Sequence, residues 1–475
     1  MVNEVKTVFA NLSWMLIAQF ITSVLSFFWT ILTAQYLGPS EYGIFGTAMS
    51  FSGLFIVFVD FGIITYIVRS ISTDLENEST YINNSFTLSL LLSIFYLFVV
   101  LIILFVLGWD NYIVLACFLY AIVNVSGKLV GILQVSFQAH EQLKFQAITN
   151  IINSLSIFVF LILVIFSSLG LFWLISAYIF SNIISFIYVF LTIRKHYFKI
   201  KFSFNPTFYK ELIKCGIPFA ISGVFTTIYY SIDVVMITQF AGTYDAGLYN
   251  AAYKLLSFLT IFYSIYGIVI FPVMSKLFED SKELLNLSFI KSTKYLSAVS
   301  IPIAVFTCFY SSDIINIYGS EFTSAGPILN ILIWTICFIF INSNAANVLN
   351  AAYKEYSVTK IACIAALFNI MLNLVLIPKY SFYGAAVATV FSEALVFILF
   401  MHVLKQIDQL PNRHFIYDII KIIFASGILA IALYFLNLNL WLAMPVSIVV
   451  YFAALLILKT PDDQDKLILK QILNK

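Results

Sequence analysis

Residues 194–216 read RKHYFKIKFSFNPTFYKELIKCG, with six cations (Arg194, Lys195, Lys199, Lys201, Lys210 and Lys214) facing a single acid, Glu211. On both sides the chain is apolar for more than 20 residues. Lys and Arg that flank membrane-crossing segments stay on the cytoplasmic side, so this stretch fixes an orientation and parts the chain into two hydrophobic halves. Asn205-Pro206-Thr207 reads as a helix start, with Asn as the cap and Pro at the first helical position. Phe208, Leu212 and Ile213 interleave with Lys210, Glu211 and Lys214, a pattern that predicts a short amphipathic helix at the bilayer surface.

Working outward, 62% of the residues are hydrophobic, 10% are charged and the mean hydropathy is +1.00. Soluble domains hold about 45–50% apolar and about 25% charged residues, so the composition is that of an integral membrane protein. Apolar runs of about 20 residues recur along the chain, the length an α-helix needs to cross a hydrocarbon core of about 30 Å. The alternating ten-residue pattern of a membrane β-barrel is missing. Cys117, Cys215, Cys308, Cys337 and Cys363 have no paired spacing and no companion histidines, which argues against disulfides and zinc alike. No cofactor and no nucleic-acid partner is expected, and membrane lipids are the expected surroundings.

The apolar runs predict an all-α fold of about fourteen transmembrane helices. Six fall in an N-terminal lobe, residues 1–193, and six in a C-terminal lobe, residues 217–404, joined by the basic cytoplasmic linker 194–216. Two more occupy residues 405–475 ahead of a cytoplasmic tail. With the linker in the cytoplasm, both termini are cytoplasmic and 21 of the 25 Lys and Arg fall in cytoplasmic segments, against Lys379 alone in an outer loop. The cytoplasmic segment 275–294 carries Leu277, Phe278, Leu284, Leu285 and Leu287 among charges and is expected to form a second surface helix. Outer loops are short, which leaves no room for an external catalytic domain.

At an offset of 204 residues the first hairpin matches the one after the linker. QYLGPSEYGIF (35–45) aligns with QFAGTYDAGLY (239–249), and Gln, Gly, acid, Gly and an aromatic recur in register. Phe180-Ser181-Asn182 likewise parallels Phe391-Ser392-Glu393. Six spans per copy is an even number, so both copies share one orientation. Such a parallel repeat about the membrane normal is a plan of transporters whose halves rock around a central site. Chance likeness of short glycine turns is the competing explanation.

The motifs Leu37-Gly38-Pro39-Ser40-Glu41-Tyr42-Gly43, Asp60-Phe61-Gly62, Gly216-Ile217-Pro218, Asp233, Ala251-Ala252-Tyr253-Lys254 and Gly384-Ala385-Ala386-Val387-Ala388-Thr389 with Ser392-Glu393 resemble the polysaccharide transporter branch of the multidrug/oligosaccharidyl-lipid/polysaccharide exporter superfamily. The resemblance covers about residues 10–404. It implies a flippase of a bacterial inner membrane, carrying polyprenyl-pyrophosphate-linked oligosaccharide of O-antigen, capsule or teichoic type. A polysaccharide polymerase or chain-length regulator would be a natural partner. A multidrug and toxin exporter of the same superfamily is the nearest alternative, and a membrane glycosyltransferase or oligosaccharide polymerase lies further off. No Gly-rich phosphate loop followed by Lys-Ser or Lys-Thr is present, which argues against ATP hydrolysis by this chain.

Ionisable residues within a span cost at least about 2.5–3.5 kcal/mol each on insertion scales and normally face a cavity or a partner. Asp60, Lys128, Asp233, Lys254 and Glu393 are such residues. By depth, Asp60 is level with Lys128 and Asp233 with Lys254. These are either structural ion pairs, or the two lysines, with Arg69 at the inner mouth, offer positive charge to a substrate pyrophosphate. Glu393 is a candidate ion-coupling site or a protonated, hydrogen-bonded carboxyl. Tyr229, Tyr230 and Tyr253 could stack on sugar rings, although plain packing is the favoured explanation.

Overall fold

The computed structural model describes residues 2–409, 413–462 and 465, and among them every regular element is helical. Lys466, Lys470 and Lys475 of the expected cytoplasmic tail lie outside the described residues. The chain separates into two compact units, Met1–Asn250 and Ala251–Lys475.

The first unit opens with α1 (Val2–Leu54), followed by α2 (Val57–Asp60), α3 (Ile63–Thr73), α4 (Glu78–Leu107), α5 (Asn111–Ala139), α6 (Leu143–Phe166), α7 (Leu171–His196) and α8 (Pro206–Ala241). A helix of 53 residues would run about 80 Å at 1.5 Å per residue, well over twice the hydrocarbon thickness. Gly38 resolves this, breaking α1 at φ 68°, ψ 172° immediately before Pro39. Only glycine occupies that backbone region at ease. At the equivalent place Gly242 ends α8 at φ 97°, ψ 174°.

The 204-residue offset thus carries over into backbone geometry, and the two hairpins meet. A Cβ on Gly43 would stand 1.8 Å from the carbonyl oxygen of Thr243, and one on Gly247 would stand 1.9 Å from that of Pro39. Pro39 and Thr243, like Gly43 and Gly247, are 204 residues apart, so the contact is reciprocal. Chance likeness of two turns does not produce this.

The second unit continues α9 (Thr243–Asp280) and holds α10 (Lys282–Ile315), α11 (Gly326–Leu332), α12 (Thr335–Ala351), α13 (Glu355–Gln406), α14 (Arg413–Leu436) and α15 (Leu440–Ile457). Within α13, Ser381 leaves helical geometry at φ 49°, ψ −134° just after Pro378. A Cβ on Gly384 would come within 2.4 Å of the carbonyl oxygen of Leu376, so the chain doubles back there. Eleven helices among the described residues are long and apolar enough to cross a membrane, or twelve with the bent pair α11 and α12. Counting the reversals inside α1 and α13, the passes agree with the fourteen expected.

Two local expectations need correction. Asn205 does cap α8, its side chain accepting from the Phe208 amide at 3.2 Å. The helix does not stop at Lys214, however, but runs on through Pro218, and Tyr209 and Leu212 are buried against Ile63, Ile67 and Phe86. The amphipathic face covers the protein core instead of lying on the bilayer. Residues 275–294 form no separate surface helix either, because α9 and α10 extend to meet at Ser281, whose side chain caps Leu284. The apolar run 327–350 forms its span as two helices, bending by 47° between α11 and α12.

Polar groups join α14 and the segment after α15 to α10. Lys294, almost fully buried, reaches Asp418 at 3.1 Å and Asp465 at 2.7 Å. Lys291 contacts Asp465 at 2.8 Å and also Asp462, and Tyr295 donates to Asp465 at 2.6 Å. Burial alone would raise the Asp465 carboxyl, yet these three donors hold it well below the usual carboxylate range.

Candidate functional site

The second span is interrupted where its acid lies. Phe61 (φ 43°) and Gly62 (φ 75°) both take left-handed backbone between α2 and α3, and Asp60 is the last residue before them. Gly62 is required there twice over, by its φ and by the carbonyl oxygen of Gly216, which would lie 2.5 Å from an added Cβ. The Gly62 amide donates back to Asp60 Oδ1 at 3.3 Å. Lys128 Nζ from α5 meets Asp60 Oδ2 at 2.8 Å. The pairing expected from depth is therefore present, with the carboxylate side chain 6% exposed and the lysine 28%. An ammonium has three donors, so Lys128 retains donor capacity on its open side while its charge is held by Asp60.

Lys128 is one of three polar residues at even spacing on α5. Asn124 donates to Ser52 Oγ at 3.0 Å and to the Tyr96 hydroxyl at 3.3 Å. Ser126 Oγ accepts from Asn182 of α7 at 2.9 Å, and Asn182 in turn accepts from Asn153 of α6 at 3.0 Å. One helix thus tethers spans two, three and six through hydrogen bonds whose partners have no competing water within a bilayer. Charge-based reading missed Asn124 and Ser126, and Asn182 was singled out only by the sequence repeat. The signal that could have found them is uncharged amides and hydroxyls deep in otherwise apolar runs.

The other expected residues distribute as follows. Asp233 is buried in α8, where its Oδ2 accepts a 2.7 Å hydrogen bond from Tyr249. Tyr249 closes the second glycine motif and had been given no part. Lys254 belongs to the second unit, half-buried on α9, as is Tyr253. Arg69 is exposed on α3. Tyr229 and Tyr230 form an edge-to-face pair 5.3 Å apart, and Tyr230 is largely exposed. Glu393 is buried in α13, and Asn342 of α12 donates to both its backbone oxygen at 3.1 Å and its Oε2 at 2.8 Å. Asn182 and Glu393, matched by the sequence repeat, are therefore each fixed by a hydrogen bond to another helix of their own unit.

Comparison with known proteins places the chain. Residues 8–278 match the family described as "Polysaccharide biosynthesis protein", and residues 218–376 match the MatE family. The capsular polysaccharide biosynthesis protein CapF of Staphylococcus aureus is 25% identical over 411 residues, covering 84% of this chain and 99% of that protein. A Haloferax volcanii protein named "Probable flippase AglR" is 26% identical over 236 residues, 48% of each chain. Among solved structures, the lipid II flippase MurJ in an inward closed conformation superposes with a TM-score of 0.78 at 17% identity, covering 97% of this chain and 99% of that one. An inward-facing multidrug resistance MATE transporter gives 0.66 at 12% identity over 81% and 94%. Family match, repeat geometry and helical membrane fold agree, and the chain belongs to the polysaccharide biosynthesis protein family, the polysaccharide transporter branch of the exporter superfamily.

Proposed function

We propose that the chain is a flippase that carries polyprenyl-pyrophosphate-linked oligosaccharide, an O-antigen, capsule or similar repeat unit, from the cytoplasmic to the outer leaflet of a bacterial cytoplasmic membrane. Both termini are cytoplasmic in this reading, as the Lys and Arg distribution requires. The observation that carries it is Lys128, a cation within a span, anchored by Asp60 yet open on one side. In a low-dielectric site such a cation attracts a pyrophosphate far more strongly than in water. Lys254 and Arg69 supply further positive charge, and Tyr229, Tyr230 and Tyr253 offer aromatic faces to sugars. Transport proceeds by alternating access of the two repeats, coupled to an ion gradient through Glu393. A polymerase or chain-length regulator would act on the delivered product, and the chain itself forms and breaks no covalent bond.

The match to MatE over 218–376 makes a multidrug and toxin exporter the second reading. The open side of Lys128 offers hydrogen-bond donors to an oxyanion and none that a cationic drug can use, which is why the anionic substrate is preferred. Equilibrium binding separates the two. The purified protein should bind a fluorescent polyprenyl-pyrophosphate oligosaccharide at least tenfold more tightly than a cationic dye, and Lys128→Ala should weaken the former alone. Tight dye binding that Lys128→Ala strengthens would favour the exporter.

A further inference from the structure

Between α4, α5 and α7 lies a cavity of about 560 Å³ that the flippase reading does not use. Its walls are aromatic. Phe86 stacks on Phe186 at 6.1 Å and Phe186 on Phe190 at 6.0 Å, and Phe202 of the linker stands 6.4 Å from Phe86. Asn182 and Ser126 close the deep end, and Lys201 stands at the mouth. From the level of Arg194 to Asn182 is 12 residues of α7, about 18 Å at 1.5 Å per residue. That matches one leaflet of a hydrocarbon core of about 30 Å.

The mouth is a built feature. Residues 198–205 carry no regular structure, yet their backbone is fixed, the Lys201 amide donating to Asn83 Oδ1 at 2.9 Å and the Ser203 amide to Thr87 Oγ1 at 3.1 Å. Tyr209 adds a hydrogen bond to the Ser203 carbonyl at 2.6 Å. Arg194, Lys195, Lys199 and Lys201 are all exposed along this segment, and residues 194–204 contain no acid. Phe202 and Phe204 are exposed beside them, the amphipathic mixture that inserts into an interface. Ile183 and Ile187 on the adjacent face of α7 are exposed too, as lipid-facing residues are.

We propose that this groove binds one anionic glycerophospholipid of the cytoplasmic leaflet. An acyl chain fills the aromatic cleft towards Asn182, and the phosphate rests on Lys199 and Lys201. Charge complementarity selects the occupant, because cytoplasmic-leaflet anionic lipids are drawn to basic segments beside membrane helices. A zwitterionic lipid would fit the cleft but gain little at the mouth. Bound there, the lipid joins the linker to α4 and α7 and ties the first unit to the charge of the membrane it occupies.

The test is native mass spectrometry of the full chain in mild detergent, titrated with phosphatidylglycerol or phosphatidylcholine of equal chain length. The expected result is one phosphatidylglycerol per chain, held at least tenfold more tightly than phosphatidylcholine. Lys199→Ala/Lys201→Ala, both exposed, should bring the two lipids to parity, whereas Lys276→Ala/Lys282→Ala at another cytoplasmic segment should change nothing. Leu90→Trp, filling the cleft, should reduce retention of both lipids. Equal affinities in the unaltered protein, full phosphatidylglycerol preference in the Lys199/Lys201 variant, or an equal loss in the Lys276/Lys282 variant would overturn the proposal. So would displacement of phosphatidylglycerol by polyprenyl phosphate at a lower concentration, which would make the groove a substrate site.

Discussion

At the scale of single residues, the Asp60–Lys128 pair sets the terms. Removing one partner of a buried pair typically costs about 3–5 kcal/mol, because the other charge is left uncompensated. Lys128→Ala should therefore destabilise the protein by about 3 kcal/mol, seen as a lowered unfolding temperature in detergent. Asp60→Asn/Lys128→Met removes both charges and should recover most of that loss while transport stays absent. Recovery of transport by the double variant would reduce Lys128 to a structural role. The pair was legible in the sequence because two opposite charges at equal depth in apolar helices have few alternatives. Asn124 and Ser126 were not, since an uncharged amide or hydroxyl leaves no mark on the charge count, and Asn182 stood out only through its match to Glu393 in the repeat. Tyr249 escaped for another reason, its role as donor to Asp233 depending on a turn whose geometry only coordinates reveal.

Elements are held by close approach and by charge. Because a Cβ on Gly43 would lie 1.8 Å from a backbone oxygen, Gly43→Ala forces the two hairpins apart. Overpacking of this kind costs about 1–3 kcal/mol or more. Gly223→Ala in α8, where nothing lies within 4 Å, should instead be neutral or stabilise by roughly 0.5–1 kcal/mol. Thermal unfolding of the two variants side by side checks the contrast.

The contacts that α14 and Asp465, beyond α15, make with α10 give a pH-dependent prediction. Asp465 is held below its usual pKa, so its contribution is complete above the unfolded value of about 3.9 and is lost as pH falls through the lower folded value. Asp465→Asn should cost about 1–3 kcal/mol at neutral pH, and the gap to the unaltered protein should close only below about pH 4. Sequence reading had counted Lys291 and Lys294 only as markers of the cytoplasmic side. Their partners are more than 100 residues away, beyond the reach of local pattern.

For the whole molecule, the charge bias and the 204-residue repeat carried most of the fold. Hydropathy locates spans because an unpaired backbone is so costly in lipid that little besides a helix can cross. The bend of the tenth span and the merging of α8 were not visible, since each depends on packing that hydropathy does not encode, whereas Gly62 itself marked a place where its span can bend. Orientation remains open to direct test: single cysteines at position 405 should be labelled from the cytoplasmic side and at position 379 from the outside. The opposite pattern would invert every assignment of depth made from the linker.

The flippase reading itself is tested most directly by translocation. Purified protein in liposomes carrying a fluorescent polyprenyl-pyrophosphate oligosaccharide should expose label to an external quencher at a rate well above protein-free liposomes. Lys128→Ala should lower that rate at least tenfold, and Glu393→Gln should remove its dependence on an ion gradient. A folded preparation that moves no lipid, yet expels a cationic dye against the same gradient, would contradict the account.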